Sequence, residues 1–258
     1  MPDTNAQQMT FWDHLQELRV RLVKCALFFA GGFCATYAFR FRIWEWVNRP
    51  LLEVFKMQFE LQGRAIEDAI EPFAFTSVTE PFFSLLRVSF WTAGFLVSPF
   101  IFYQVWAFIR PGLYKRERRM VIPFVLVTTL CFLAGSAFAY TFAFKSVVGI
   151  MLEDALKAGL RPNLKLDEYL DLFIITILGT GLTFEMPVLV YFLAKFRLVT
   201  AKWMIKYWKH AAIAIIVIAS FITPGDIIVT TMFISLIMLA LYFISVLVAK
   251  LAEPKTQN

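Results

Sequence analysis

Histidine and cysteine are scarce in this sequence. Among 258 residues there are two histidines, His14 and His210, and three cysteines, Cys25, Cys34 and Cys131. All three cysteines lie in apolar runs, and on a helix the first two would be separated by about 13 Å along the axis, too far for a disulfide. Because no cysteine or histidine pair has metal-ligand spacing, we expect no structural metal site.

Catalytic motifs are also missing. The chain has no His-Glu-x-x-His, no Gly-x-Ser-x-Gly and no nucleotide-binding loop. We therefore predict neither an enzyme nor a bound cofactor, and an intramembrane hydrolase is the least favoured function. The net charge of +6 would suggest a nucleic-acid partner for a soluble protein. Here the basic residues lie in short loops beside apolar segments, so no nucleic-acid partner is expected.

Apolar residues dominate the composition, at 59% of the chain with a mean hydropathy of +0.67. Such a chain is too apolar for a soluble domain. We predict an all-α polytopic membrane protein with six transmembrane helices in a single domain, and no cleavable signal peptide. A short surface helix is expected near residues 147–158. The predicted spans are residues 20–39, 83–109, 120–142, 169–195, 211–222 and 227–248, and the outer, periplasmic loops are residues 40–82, 143–168 and 223–226.

Lysine and arginine set the predicted orientation. Fifteen of these residues fall on the side of the two termini, counting Arg21, Lys24 and Lys195 near the inner ends of their spans, and nine fall on the opposite side, although the opposite side has much longer loops. Because basic loops stay in the cytoplasm, we predict that both termini are cytoplasmic.

One basic segment contains residues that a role in membrane orientation does not explain. It reads Tyr103-Gln-Val-Trp-Ala-Phe-Ile and, after a break, Pro111-x-Leu113-Tyr114-Lys-x-Glu117-Arg-Arg. A cytoplasmic loop explains the basic residues, but not the carboxylate of Glu117 or the aromatic residues Phe108 and Tyr114. The segment resembles the TatC family, the large membrane subunit of the twin-arginine (Sec-independent) protein translocase. Other matching stretches cover nearly the whole chain.

Residues 10–24 are predicted to form a short amphipathic helix, in which Glu17 has two interpretations. As an i,i+4 partner of Arg21 it would contribute only ~0.3 kcal/mol. The stretch His14-Leu-x-Glu17-Leu-Arg19-x-Arg21-Leu22 also resembles the opening motif of TatC, in which the glutamate helps to bind signal peptides. The resemblance thus implies a receptor for twin-arginine signal peptides, with a binding site formed by Glu17, Arg19, Phe108, Tyr114 and Glu117.

Glu185 lies deep inside the predicted span 169–195, where a charged side chain costs about 3 kcal/mol on insertion scales. In one interpretation, Glu185 is a protonated carboxyl that is hydrogen-bonded to a neighbouring helix. A proton-coupled secondary transporter that uses Glu185 is the alternative function. The stretch Gly179-Thr-Gly-x-x-Phe184-Glu185-x-Pro187 resembles a TatC motif and favours a functional polar site. In the preceding span, Gly135 and Ser136 are small enough for close helix contact.

The uncharged run 211–222 is about eight residues short of a span, which predicts a concave, partly hydrated face toward lipid. The resemblance implies TatA- and TatB-like single-span partners, an oligomeric complex in a bacterial-type inner membrane, and use of the protonmotive force. We expect these partners to dock near Glu185 and Pro187, along Val217, Met232 and Met238. Family positions in the outer cap and turn are matched by Pro50, Asp226 and the predicted turn Glu80-Pro81-Phe82.

Overall fold

The computed structural model of the chain describes residues 11–61, 73–75, 77–109, 121–160, 163–222 and 228–253. These residues are almost entirely helical, so the predicted all-α class is confirmed. Two short strands pair in parallel, with Phe73 opposite Leu164. The elements in chain order are α1 (Phe11–Ala38), α2 (Arg40–Leu61), β1 (Phe73–Ala74), α3 (Glu80–Ile109), α4 (Val121–Phe138), a π-helical segment (Ala139–Ala143), α5 (Phe144–Lys157), β2 (Leu164–Lys165), α6 (Leu166–Thr183), α7 (Met186–Lys195), α8 (Ala201–Lys206), α9 (Trp208–Ile222) and α10 (Ile228–Ala252).

Several helical segments are long and apolar enough to cross a membrane. Within the described ranges there are four, with a fifth when α1 and α2 are taken together. Helix α9 has only 15 residues, which corresponds to about 22 Å against a hydrocarbon core of about 30 Å. The four single segments are Glu80–Ile109, Ile122–Lys157, Leu166–Lys195 and Ile234–Ala252.

Many large apolar side chains lie on the surface, and several small polar side chains are buried. Leu130 and Leu236 are exposed, whereas Ser89, Thr176 and Ser245 are buried. The hydroxyl of Ser245 donates to the carbonyl of Leu241 at 2.7 Å. A lipid solvent favours this distribution, because it accepts leucine but offers no hydrogen bonds to a hydroxyl.

The chain divides into two compact units, of which the first comprises Met1–Phe39 and Ser89–Thr129. In this unit α1 packs closely on α3, since a Cβ atom added at Gly32 would lie 2.5 Å from Cγ2 of Val97. The hydroxyl of Thr36 donates to the carbonyl of Ser89 at 2.8 Å. These contacts fix the N-terminal helix against α3 between Ser89 and Val97.

The second unit comprises Arg40–Val88 and Leu130–Asn258. At one end of it the hydroxyl of Tyr169 donates to the carbonyl of Val47 at 2.7 Å, joining α6 to α2. At the other, Tyr242 of α10 donates to the carbonyl of Met204 at 2.8 Å, and Glu253 accepts from the backbone N–H of Ala201 at 2.6 Å. The short helix α8 is thus held against the C-terminal helix.

Two expectations about the N-terminal third are corrected. The predicted amphipathic helix and first span are one continuous helix, α1, because no proline or strong turn signal separates them. Residues 40–61, predicted to lie in a loop, form helix α2. Its buried apolar residues recur at helical spacing, but the charged residues between them and Pro50 within the helix obscured that pattern. The buried apolar residues of α2 are Val47, Leu51, Val54, Phe55 and Phe59.

Three further boundaries differ from the predictions. Glu80-Pro81-Phe82 is not a turn but the start of α3, where proline is well tolerated because a first-turn N–H has no helical partner. The helix expected near 147–158 is present as α5, but it continues from α4 through the π-helical segment. The segment 166–195 breaks at Phe184 and Glu185, since Pro187 in the first turn of α7 cannot donate back to the preceding turn.

The small residues of α4 make the predicted close helix contact. A Cβ atom at Gly135 would lie 2.6 Å from Cγ of Phe184, and one at Gly181 would lie 2.5 Å from the hydroxyl oxygen of Ser136. Phe184 immediately precedes Glu185. The glycine therefore positions the break that carries this carboxyl.

We expect Gly135→Ala to lower the free energy of unfolding by about 1–3 kcal/mol, the range for overpacking a filled site. The base of the Phe184 side chain has no room to move away from the new methyl group. The midpoint of SDS-induced unfolding in mixed micelles measures the change. Gly31→Ala is the matched control, because no atom lies within 4 Å of a Cβ atom added there. Equal midpoints for the two variants would contradict the packing described.

Candidate functional site

Helices α1 and α3 bring Glu17, Arg21 and Gln104 together, and we call these three residues the Glu17 cluster. Arg21 donates to Oε1 of Glu17 from Nε at 3.0 Å and from Nη2 at 2.5 Å. Its Nη1 donates to Oε1 of Gln104 at 3.1 Å. Glu17 and Arg21 meet because residues four apart are neighbours on a helix. The simple interpretation of Glu17 as a partner of Arg21 is therefore confirmed as a contact.

The cluster leaves half of the Glu17 carboxylate unused. The side chains of Arg21 and Glu17 are 22% and 20% exposed, and Gln104 is buried. Oε2 of Glu17 is buried without a hydrogen-bond partner among the described residues. A carboxylate accepts hydrogen bonds at both oxygens, and leaving a buried acceptor unpaired costs about 1–3 kcal/mol. An additional donor at Oε2 would remove that cost.

A cavity of about 330 Å³ opens beside Glu17 on α1. One turn before Glu17, the ring of His14 stacks on Phe108, with a centroid separation of 4.2 Å. Phe108 therefore packs on the first turns of α1, and its expected role beside a bound peptide stays a prediction. Arg19 is exposed and is not among the residues that line the cavity. Those residues are Asp13, Gln16, Glu17, Val20, Arg21 and Lys24.

Three residues of the predicted sites lie outside the described part of the chain. They are Tyr114 and Glu117 of the second basic segment and Asp226 of the turn before α10. The roles expected for them stay predictions.

Glu185 lies in the break between α6 and α7. It is 6% exposed, and its Oε1 atom has no hydrogen-bond partner within the ranges that the structure covers. The ring of Phe184 packs against Gly135 beside it, and Pro187 is half-buried. Glu185 is thus a buried carboxyl with unused hydrogen-bonding capacity, held by the packing of α4 against α6.

Of the three positions expected to face a partner helix, two are exposed and one is buried. Val217 on α9 is 50% exposed and Met232 on α10 is 65% exposed. Met238 is 5% exposed and packs in the core between α7 and α10. The expectation for Met238 is therefore wrong, because six residues on a helix amount to about 600°, which turns its side chain well away from the face of Met232.

Three residues predicted for the outer cap lie in helices α2 and α3. Pro50 is fully buried inside α2. Glu80 is buried at the start of α3, where its carboxylate accepts weakly from the backbone N–H of Ser77 at 3.4 Å. Pro81 follows in the first turn of the helix. All three lie within helices, and Pro50 removes one backbone N–H donor from the middle of α2.

Sequence reasoning missed Gln104, which lies inside the quoted stretch Tyr103-Gln-Val-Trp but received no role. Its only sequence signal was a polar side chain between aromatic residues of an apolar span. The stacking of His14 on Phe108 was missed as well. Across the described ranges, no three His, Cys, Asp or Glu side chains form a group able to hold a metal ion.

The chain is similar to known proteins over nearly its full length. The family model for TatC, the Sec-independent protein translocase protein, matches residues 13–247. The chain is 36% identical to the Sec-independent protein translocase protein TatC of Koribacter versatilis over 250 residues, which cover 97% of this chain and 88% of that one. It is 31% identical to TatCy of Bacillus subtilis, covering 100% and 95% of the two chains.

A solved structure has the same fold. The crystal structure of the twin-arginine translocase receptor TatC superimposes with a TM-score of 0.77 at 29% identity, covering 93% of this chain and 99% of that chain. These proteins are translocase components, so the matches do not favour the secondary transporter. The protein is a multi-pass membrane component of a Tat translocase, and with the family model matching almost its full length, the chain belongs to the TatC family.

Proposed function

We propose that this protein is the receptor for twin-arginine signal peptides and the scaffold of its translocase, exporting folded proteins across a bacterial-type cytoplasmic membrane. The observation that carries the proposal is the buried, unpaired Oε2 atom of Glu17 beside an open cavity. A guanidinium group offers planar paired donors that match a carboxylate. The name of the solved relative, a twin-arginine translocase receptor, supports the same role.

Glu17 and Glu117 are proposed to bind the two arginines of a signal peptide. Lysine has the same charge but cannot make the bidentate contact, so the pair would select arginine. Phe108, packed on His14, would contribute an apolar wall, and Tyr114 is assigned a similar place. Arg19 is kept as a flanking contact, since it is exposed on α1.

Removing either carboxylate should weaken peptide binding. We expect Glu17→Ala and Glu117→Ala each to lose ~1.5 to 3 kcal/mol of binding free energy, the range for hydrogen bonds to charged groups. Fluorescence anisotropy of a labelled peptide with two adjacent arginines, titrated with purified protein in nanodiscs, measures the loss. Glu60→Ala is the control, because Glu60 is an exposed carboxylate on α2. A folded double variant that binds like wild type would exclude these roles.

The receptor is proposed to have six spans with both termini in the cytoplasm. The excess of lysine and arginine on one side supports this orientation. It would place Glu17 and Glu117 on the cytoplasmic side, where folded precursors present their signals.

Cysteine labelling in cells tests the orientation. In a background without Cys25, Cys34 and Cys131, cysteines at Gln62 and Asn163 should react with a membrane-impermeant maleimide added outside. Cysteines at Arg116 and Lys202 should react only after the membrane is permeabilised. Labelling of Gln62 and Arg116 from the same side would contradict the topology.

Single-span TatA- and TatB-like partners are proposed to dock along α9 and α10, with Glu185 as a polar contact. Helix α9 is short for a bilayer, and a partner helix would cover it at lower cost than thinning the membrane. The exposed Val217 and Met232 offer an apolar surface beside it. A polar residue of the partner could then donate to the unpaired Oε1 atom of Glu185.

Site-specific crosslinking tests this docking. Photoreactive residues at Val217 and Met232 should crosslink to the partner helix, whereas one at the buried Met238 should not. Glu185→Leu should reduce the crosslinks at least threefold and Glu185→Gln should preserve them, since the amide retains hydrogen bonding. Leu27 and Leu130 are equally exposed controls at 67% and 65%. Stronger crosslinks from those controls would move the docking surface elsewhere.

A further inference from the structure

The Glu17 cluster contains a guanidinium group of its own. Arg21 directs two N–H donors to one oxygen of Glu17 and a third to Gln104. An incoming arginine would present the same chemical group to the same carboxylate. The site proposed to bind an arginine is therefore already half-occupied by one.

We propose that Arg21 is an internal competitor for the arginine-binding site, so that Glu17 binds a signal peptide by exchanging one guanidinium for another. The inference rests on the proposed receptor function and names a residue that sets its affinity and specificity. Gln104 acts as a positioning residue that holds Arg21 in the competing orientation.

The geometry requires such an exchange. The strongest carboxylate–guanidinium pairing is bidentate, with one donor to each oxygen. No described residue donates to Oε2 of Glu17, but Oε1 already accepts from both Nε and Nη2 of Arg21. An arginine that approaches Oε2 can complete a bidentate pair only when Arg21 releases Oε1. Two guanidinium groups on one carboxylate would also repel each other.

Arg21 is able to leave. Its side chain is 22% exposed, and it borders the cavity of about 330 Å³ together with Lys24. An i,i+4 ion pair that is partly open to solvent is weak. Displacing Arg21 therefore requires breaking a weak, partly solvated ion pair and one hydrogen bond to Gln104.

The competitor sharpens the choice of arginine over lysine. An incoming arginine replaces the two donors of Arg21 with two of its own. A lysine ammonium is a single point charge and cannot reproduce the planar pair. A lysine could therefore bind only at Oε2, with the guanidinium of Arg21 still beside it on Oε1. The repulsion between the two cations would weaken lysine binding, so discrimination would exceed what a free glutamate provides.

The test measures the dissociation constants of two labelled peptides, one with adjacent arginines and one with lysines in their place, for the full-length protein in nanodiscs. Arg21→Gln should bind the arginine peptide about threefold to tenfold more tightly, a change of about 0.6 to 1.4 kcal/mol. It should bind the lysine peptide more tightly by a larger factor. The ratio of the dissociation constant for the lysine peptide to that for the arginine peptide should therefore fall. Gln104→Leu should shift both in the same direction by less.

Lys24→Gln is the matched control, because it removes one positive charge from the same cavity without removing a hydrogen bond of the cluster. It should tighten both peptides equally and leave their ratio unchanged. This comparison separates competition for Glu17 from general electrostatic attraction. Unfolding midpoints close to wild type establish that each variant is folded.

Weaker or unchanged binding of the arginine peptide by folded Arg21→Gln, with an unchanged ratio, would overturn the inference. The receptor function would still stand if Glu17→Ala weakened binding in the same assay. If Glu17→Ala had no effect, the receptor site itself would be wrong and the competitor with it. Should Arg21→Gln not fold, Gln104→Leu decides: a lower ratio supports competition and an unchanged ratio excludes it.

Discussion

In a lipid solvent, every polar group that leaves water must find its partner inside the protein. The described part of this chain follows that constraint closely. Thr36 donates to the carbonyl of Ser89, and the indole N–H of Trp106 donates to the hydroxyl of Thr128 at 3.0 Å. These internal bonds link neighbouring helices. Apolar contacts alone would not favour such links, because an apolar side chain is solvated as well by lipid as by another helix. Packing by small residues such as Gly32 and Gly135 then brings the backbones close enough for such bonds.

The exceptions to this constraint are informative. Among the described residues, the buried side-chain atoms without a hydrogen-bond partner include one oxygen of Glu17 and one of Glu185. A carboxyl is the costliest side chain to leave in that state. Glu17 lies near the start of α1 beside a cavity, whereas Glu185 lies in a helix break within an apolar segment. Glu17 therefore borders open space, whereas Glu185 is enclosed by the packing of α4 and α6.

Much of the fold was predictable from composition and local pattern. Long apolar runs gave the spanning helices, and the small size of Gly135 and Ser136 correctly indicated a helix contact. Helix α2 was not predicted, because its charged residues and Pro50 interrupt the apolar residues that form its buried face. Met238 was misplaced, since hydropathy reports that a helix is apolar all round but not which side meets protein. The site was predicted through family resemblance, while Gln104 escaped because its partner Arg21 is 83 residues away in sequence.

Glu17 can be both an i,i+4 ion-pair partner of Arg21 and a residue of a binding site, since the two interpretations do not exclude each other. On a helix, an acid four residues before a base forms an ion pair by geometry alone. If that were its whole purpose, both carboxylate oxygens would be bonded or solvated, since neither is costly to satisfy at a helix surface. Instead Gln104 holds Arg21 on one oxygen, and the other is buried and accepts no hydrogen bond from the described residues. The ion pair orients the Glu17 carboxylate on α1, and the exchange proposed above depends on that pair being weak.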